Sequence, residues 1–557
     1  MAFLGCSYLA VFTVLIAHLT LTKWILTLTL IMYGTIFGWM TLRKMHSIRK
    51  ETWFAALFAC ALIALSLLLN RIIYDTSFDG QEYHQLAVIS LKEGWNPIYY
   101  PEGAPSFWVR HYPKASWLIG AMFYLVTGSI ETGKSSNMIC LFASFFTSLA
   151  VLKHLIVTNG RTIGSGYFDR HRSLSILVIT IFAGTAACNP VTLAQLFTHY
   201  NDGLVGSLLL ILISTMAYHA VTSDRKALLV ALICLVYLIN IKYTAFAYAG
   251  LICMFFSLYA ASKLIRPLFP LTAGDRGRSI LQTLIRGKLI SLLLLLLGSG
   301  LVGILVFGFN PYVVNTITQG HPFYPLAGPN SIDIMTENSP ADFIEQNRMK
   351  KFLLSYSATT EDILQPQTSR RASLWPVRWS DFNNLSEDTR TSGFGPLTLW
   401  MGTGSLFLWL MLLCADRRLW IFNSLWSIAL IITAFVNPEL WWARYVPQLW
   451  LVPIVVAISG FFSKQRLIRM AALVLLGIIA IDTVGSGSVV LAKQVIHSNQ
   501  VAATLDQLKN SNIKVYSENT PMFIRLQERS IQFTSASQDQ LCDNPYYFYN
   551  TKIAYCK

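Results

Sequence analysis

The chain has 557 residues, of which 54% are hydrophobic and only 13% charged. The apolar share exceeds the ordinary soluble range and the charged share falls well short of it, which argues against a water-soluble globular protein and makes lipid the expected solvent. The excess of 43 Lys plus Arg over 28 Asp plus Glu would point to nucleic acid in a soluble chain. In a membrane protein it is read loop by loop instead, and no nucleic-acid partner is expected.

In chain order, the apolar run 3–19 has no basic start and no obvious cleavage site, so a retained first helix is expected rather than a signal peptide. Further stretches that can cross a bilayer as helix, or nearly so, are 24–42, 53–69, 135–157, 174–187, 204–220, 228–239, 243–261, 289–309, 397–414, 419–435, 446–462 and 470–481. With thirteen spans, the basic clusters opening at Arg43, Arg161, Arg225, Lys263, Arg417 and Lys464 all fall on one side. The positive-inside tendency makes that side the cytoplasm and puts the N-terminus there. Residues 116–128 (SWLIGAMFYLVTG) are apolar but too short for a span, and counting them would put the later basic loops outside. They are therefore assigned to an interfacial or re-entrant helix on the outer surface.

The predicted fold is thus a polytopic α-helical membrane protein of about thirteen transmembrane helices. Residues 1–50 form a transmembrane hairpin and 51–484 a transmembrane core with outer loops 71–134 and 310–396. A small extracytoplasmic α/β domain at 485–557 follows, read from a helix over 490–508 and the strand-like runs IKVYSE, IQFTSA and YYFYNTKIAY. Seven cysteines lie in or beside apolar runs, whereas Cys542 and Cys556 sit in the polar tail. Those two are a candidate disulfide, which needs an oxidising compartment. Asn384-Leu385-Ser386 is a glycosylation sequon, relevant only in a eukaryotic secretory membrane.

The first outer loop, YDTSFDGQEYHQLAVISLKEGWNPIYYPEGAPSFWVRHYPKASW, concentrates ionisable and aromatic residues just after a helix end. Loops on a rigid helical frame commonly carry sites. Asp79, Glu82, His84, His111 and Lys114 are the candidates, since a carboxylate at the membrane surface can act as base while cations receive phosphate. The bland alternative is a solvated loop with interface-anchoring aromatics. Asp202, in FTHYNDGLVGSLLLILI, stands at the outer start of a span beside His199, Tyr200 and Asn201. It can be a helix cap or part of a polar pocket. Lys242 in LINIKYTAFAY and Arg444 in NPELWWARYVPQLWL lie where bilayer meets outer surface, and each either faces a cavity or snorkels to the headgroups.

The stretch FDGQEYHQLAVISLKEGWNPIYYP resembles the first outer loop of GT-C glycosyltransferases, particularly the protein O-mannosyltransferases and the lipid A aminoarabinose transferases. In that family an Asp-Glu pair begins four residues before a Tyr, on a short helix followed by a stretch containing Gly, Trp and Pro. Asp79 and Tyr83 keep the spacing, whereas Gly80 stands where the family has Glu. The family's His-x-x-Lys element resembles His111 to Lys114, although Ala115 and Ser116 replace the usual prolines. Asp202 matches an acidic residue at the outer start of a comparable helix, and Arg444 with Tyr445 an Arg-Tyr element before a late span. The segment 310–328 is similar to a Pro-rich outer segment of related bacterial enzymes. The resemblance runs in order from Trp53 to about Phe462.

It implies transfer of a sugar from a polyprenyl-phosphate donor to a lipid, glycan or protein acceptor, with an extracytoplasmic site in a bacterial inner membrane. Asp79 would be general base in an inverting displacement, and Asp202 would position a sugar. Lys114, Arg444 and Lys242 would bind the donor phosphate, with Glu82, Tyr83, His84, His111, His199 and Tyr445 lining the pocket. No cofactor is expected; a divalent ion is the alternative if the acids and histidines converge. The rivals are a polymerase or ligase of lipid-linked glycan working through Arg370 and Arg371, and a transporter or flippase. A transporter would call for charges near mid-helix and often an internal repeat, neither of which is visible.

Overall fold

The computed structural model describes residues 1–42, 50–162, 172–265, 288–336, 338–358, 377–383, 385–517, 520–548 and 553–556. Parts of several basic clusters, including Arg43, Arg170 and Arg266, lie outside the described residues, as do Asn384 of the sequon and the rival's Arg370 and Arg371.

Helices underlie every apolar stretch of the sequence. Among the described residues eight are long and apolar enough to cross a membrane: Trp53–Ile72, Ile130–Val157, Asp202–Thr222, Tyr243–Ser262, Leu289–Phe307, Thr398–Ala415, Arg417–Phe435 and Arg466–Gln507. Others, such as Ala2–Ile16 and Arg172–Ala187, are apolar but shorter. On Lys288–Val302 the side chains of Leu294, Leu297 and Leu301 are each more than half exposed. So are Leu406 and Phe407 on Thr398–Ala415. Water would penalise such faces and hydrocarbon would not, so the chain is a helical membrane protein.

Asp202–Thr222 is the most enclosed of the long helices and packs between Ser136–Thr162 and Arg225–Ile239. The helix starts carry their own signals. Asp224 accepts from the Lys226 N–H, and Asp416 from the Leu419 N–H, each holding one of the donors a helix leaves unpaired at its first turn. Asn189 caps the short helix Pro190–Ala194, whose first residue is a proline that lacks the N–H in question.

Two sequence expectations are corrected. The 116–128 segment forms the helix Ala115–Thr127, but Ala115 to Tyr124 are all buried, packed against Ala2–Ile16 and Gln85–Lys92. That burial rules out the interfacial placement and leaves the re-entrant one. The tail helix is also not separate: Arg466–Gln507 runs unbroken for 42 residues, carrying the last span straight into the tail. Gly485 and Gly487 sit mid-helix, where Phe382 and Leu193 pack against their backbone. A Cβ at either position would come within 2.7 or 2.4 Å of those side chains.

Beyond this helix the chain forms a sheet of order β2-β1-β4-β3. The strands are β1 (Asn512–Tyr516), β2 (Gln532–Ser535), β3 (Tyr546–Tyr547) and β4 (Ala554–Cys556). β1 pairs parallel with β2 across the helix Thr520–Glu528, and antiparallel with β4. Cys542 and Cys556 are joined as a disulfide. The apolar core of this segment includes Val501, Leu505, Val515, Leu526 and Phe548, and it closes over Tyr74 at the start of the first loop.

Candidate functional site

Five distant segments, carrying Asp79, Asp202, Lys242, Asp388 and Arg444, converge at one end of the helical bundle. The Lys50–Ile72 helix ends into the first loop, where Asp79 opens the π-helical turn Gly80–His84. Gly80 makes this turn possible, since a Cβ there would lie 2.3 Å from both Asp75 Oδ2 and Ser77 Oγ. Position 80 therefore has no room for a side chain.

Arg444 lies at the centre of the convergence, in the turn Ala443–Tyr445 ahead of the Leu451–Phe461 helix. Its Nη2 is 3.9 Å from Asp79 Oδ2 and its Nε 3.7 Å from Asp202 Oδ2, while Nη1 is ion-paired with Asp388. The guanidinium also lies 4.4 Å from the Trp442 ring centre and 5.0 Å from those of Tyr200 and Tyr445. Such cation–π contacts strengthen when desolvated, and Arg444 is buried. Asp202 is the first residue of its helix but does not cap it. Its carboxylate is ion-paired with Lys242 and accepts weakly from Gln195 Nε2 at 3.4 Å. Lys242 stacks on Tyr445 at 4.3 Å, so it is held in the site instead of reaching for headgroups.

Electrostatics sets Asp79 apart. Burial pushes its carboxyl up to about 6; Arg444 and the Tyr200 hydroxyl oppose the rise, while Asp388 and Glu82 add to it. Its side chain retains 27% exposure, more than Asp202 at 5%. Asp79 is thus the acid of the group that is both reachable and near neutrality. In the late loop, burial likewise raises Glu387, to about 7, and Asp388.

Compared with protein-family models, curated proteins and solved structures, the chain matches none.

Several sequence candidates have other duties. Lys114 does not face the site: its ammonium donates to the carbonyls of Arg110 and Tyr112 at 3.1 and 2.8 Å and to Asn310 Oδ1 at 3.0 Å. Burial among neutral acceptors, with no anion, drives its pKa well below the ordinary lysine range. His111 shares a hydrogen bond of 2.8 Å with Asn315 and packs on Tyr324, a contact that joins the first loop to the 310–328 segment. His84 accepts from the Trp117 indole at 2.7 Å, and burial lowers it to about 3, so it is neutral. Tyr83 stacks between His84 and Tyr112. Glu82 is half-buried, near enough to raise Asp79.

His199 belongs to a second buried cluster. Its backbone N–H and its ring contact Asp75 Oδ2 at 2.7 and 2.8 Å. Burial opposes ionisation of Asp75, but bonds from His199 and Ser77 and the nearby Lys134 charge outweigh it, holding the carboxyl below the usual range.

Among the described residues no group of three His, Cys, Asp or Glu converges as metal ligands. The acids Asp79, Asp202 and Asp388 meet at the Arg444 guanidinium.

Sequence reasoning missed Asp388, Asp75 and Arg525. Asp388 lies in SEDTR, an ordinary mixed-charge loop stretch whose role depends on folding back 56 positions onto Arg444. Asp75 carried the one usable signal, a carboxylate directly after a span with a serine two residues on.

Proposed function

We propose that the chain is a membrane glycosyltransferase that moves a sugar from a polyprenyl-phosphate carrier to an extracytoplasmic hydroxyl acceptor, with Asp79 as general base. The observation that carries this reading is the approach of Asp79 to Arg444, 3.9 Å apart although 365 positions separate them in the chain. It puts a proton acceptor beside an anion-binding group at one end of a lipid-facing helical bundle. The first-loop and Arg-Tyr resemblances to GT-C glycosyltransferases support the same assignment.

In the proposed reaction the acceptor oxygen attacks the anomeric carbon as Asp79 takes its proton. The bond from that carbon to the phosphate oxygen breaks, its electron pair leaves with the polyprenyl phosphate, and configuration inverts. A phosphate is a good leaving group, so one base and fixed cations suffice where a glycosidase uses two carboxylates. Arg444 would take the phosphate through charge-assisted bonds, with Lys242 alongside. Lys114, whose donors are spent on Arg110, Tyr112 and Asn310, is dropped from this role. Asp388 pairs with the face of Arg444 that a phosphate would approach, so donor entry exchanges a carboxylate for a phosphate there.

The remaining assignments belong to the same reading: about thirteen spans, N-terminus cytoplasmic, C-terminal α/β segment and site outside, and a bacterial inner membrane. Reconstituting the protein with a panel of polyprenyl-phosphate sugars and following carrier release tests it. Release of carrier with bond cleavage is expected for at least one sugar. Movement of intact carrier across the bilayer without cleavage would instead make the chain a transporter.

A further inference from the structure

We propose that the C-terminal segment is a working part of the site: Arg525, on the Thr520–Glu528 helix, is a positioning residue that fixes the turn carrying Asp79. The inference rests on the glycosyltransferase reading for its catalytic consequence, but not for the coupling itself.

Arg525 is 1% exposed, and its guanidinium is spent on the first loop and the turn that follows it. Nη1 donates to Gln81 Oε1 at 2.8 Å, Nη2 to the Asp75 carbonyl at 2.6 Å, and Nε to Glu131 Oε1 at 2.8 Å. Glu131 passes the linkage on, its other oxygen accepting the Asp75 N–H at 2.8 Å and pairing with Lys134. Asp75 in turn binds Ser77 through Oδ1 and His199 through Oδ2. Two acids, Asp75 and Glu131, balance two cations, Lys134 and Arg525.

This cluster touches the segments that carry Asp79 and Asp202. Gln81 is two residues past Asp79, and His199 three before Asp202. Asp75 and Ser77 fill the space that a Cβ at Gly80 would need, so the turn beginning at Asp79 sits directly on this cluster. The geometry suits an arginine and nothing else: a planar fork can satisfy a carbonyl, an amide oxygen and a carboxylate together, and a lysine point charge cannot. A buried ion cluster of this kind adds little over apolar packing in net stability, which leaves fixed register as its contribution. The apolar core around Leu526 and Val515, closed over Tyr74, holds the arginine's own helix in place.

The test uses the full-length protein in lipid nanodiscs, comparing wild type with Gln81→Met, Arg525→Lys and Arg525→Met, and with the exposed Lys514→Met as control. Amide hydrogen exchange and transfer kinetics are measured on each. Exchange over residues 76–84 is expected to quicken roughly tenfold or more in Gln81→Met and Arg525→Lys, as hydrogen bonds to a buried charge are lost, while 202–222 stays protected. Transfer is expected to lose roughly ten- to a hundredfold in kcat, as for a misplaced catalytic group, with the donor KM within about twofold. Lys514→Met should change neither.

Unchanged exchange at 76–84 overturns the proposal. So does protection lost evenly over the whole chain, which would mark a merely structural arginine, or a loosened turn with undiminished kcat. If wild type transfers no sugar at all, the glycosyltransferase reading fails by itself, and exchange alone decides the coupling. Gln81→Met removes no charge, so it keeps the test available should the Arg525 variants fail to fold.

Discussion

Asp79 has conflicting neighbours: burial, Asp388 and Glu82 favour its neutral form, Arg444 and Tyr200 its anion, and burial prevails to leave it near 6. An unfolded aspartate titrates near about 3.9. The folded value is the higher one, so ionisation opposes folding. The stabilising contribution is complete below about 4 and is lost as pH rises through about 6. Asp79→Asn, neutral throughout, should therefore unfold at a higher temperature than wild type at pH 8, and the gap should close as the pH falls toward 4. A melting-temperature difference independent of pH would refute the raised pKa. Lys114 makes the opposite kind of case. Lys114→Ala leaves the buried Asn310 Oδ1 without its donor, at a cost of about 1–3 kcal/mol, and frees the part-buried Arg110 and Tyr112 carbonyls, so thermal stability should fall while donor KM stays the same. The sequence shows a lysine three residues after a histidine in a polar loop, but the carbonyls that claim its protons become visible only with the fold. Asp79 stood out through the density of ionisable and aromatic residues in the first loop and its spacing to Tyr83. Asp202 and Arg444 were legible because a charge at the end of an apolar run is costly unless it faces polar company. Asp388 was not, because charge in a solvated loop carries no such cost.

At the scale of elements, two loops set the site. The first-loop turn depends on the missing side chain at position 80, where Gly80→Ala would force Asp75 and Ser77 apart. Overpacking of this kind costs about 1–3 kcal/mol. The expected outcome is faster proteolysis within 71–84, with the Asp202–Thr222 helix undisturbed. The late loop supplies Asp388, which competes for Arg444 with any incoming anion. Asp388→Asn should lower the donor KM by roughly two- to tenfold, the advantage of a charge-assisted bond no longer contested. A raised KM would instead mean that Asp388 helps to hold the donor. Helix positions were readable from apolar run length; their surroundings were not. The Ala115–Thr127 helix is apolar on every face because protein encloses it, and the same composition would serve at a membrane interface. The Gly485–Gly487 stretch is a packing notch for Phe382 and Leu193, partners more than a hundred positions away.

For the whole molecule, membrane character was carried by composition alone, since too many leucines remain for any protein interior to take. Among the described residues eight helices meet the length for crossing, and several of the remaining ones are shorter, so the span count rests on charge distribution as well as on length. Single cysteines placed at the exposed positions 464 and 514 in a cysteine-free background test it. A membrane-impermeant thiol reagent should label the second from outside intact cells and the first only after lysis. What sequence could not convey is that the tail returns to the first loop through Arg525, a contact spanning 450 positions.

The most direct test of the catalytic reading is the release of polyprenyl phosphate by proteoliposomes between pH 5 and 8, with wild type and Asp79→Asn side by side. Wild-type release should climb through a single limb centred near 6 as Asp79 loses its proton, and the variant should be slower by roughly a hundredfold or more without that limb. A variant that keeps both the wild-type rate and its pH limb would contradict the assignment of Asp79 as base.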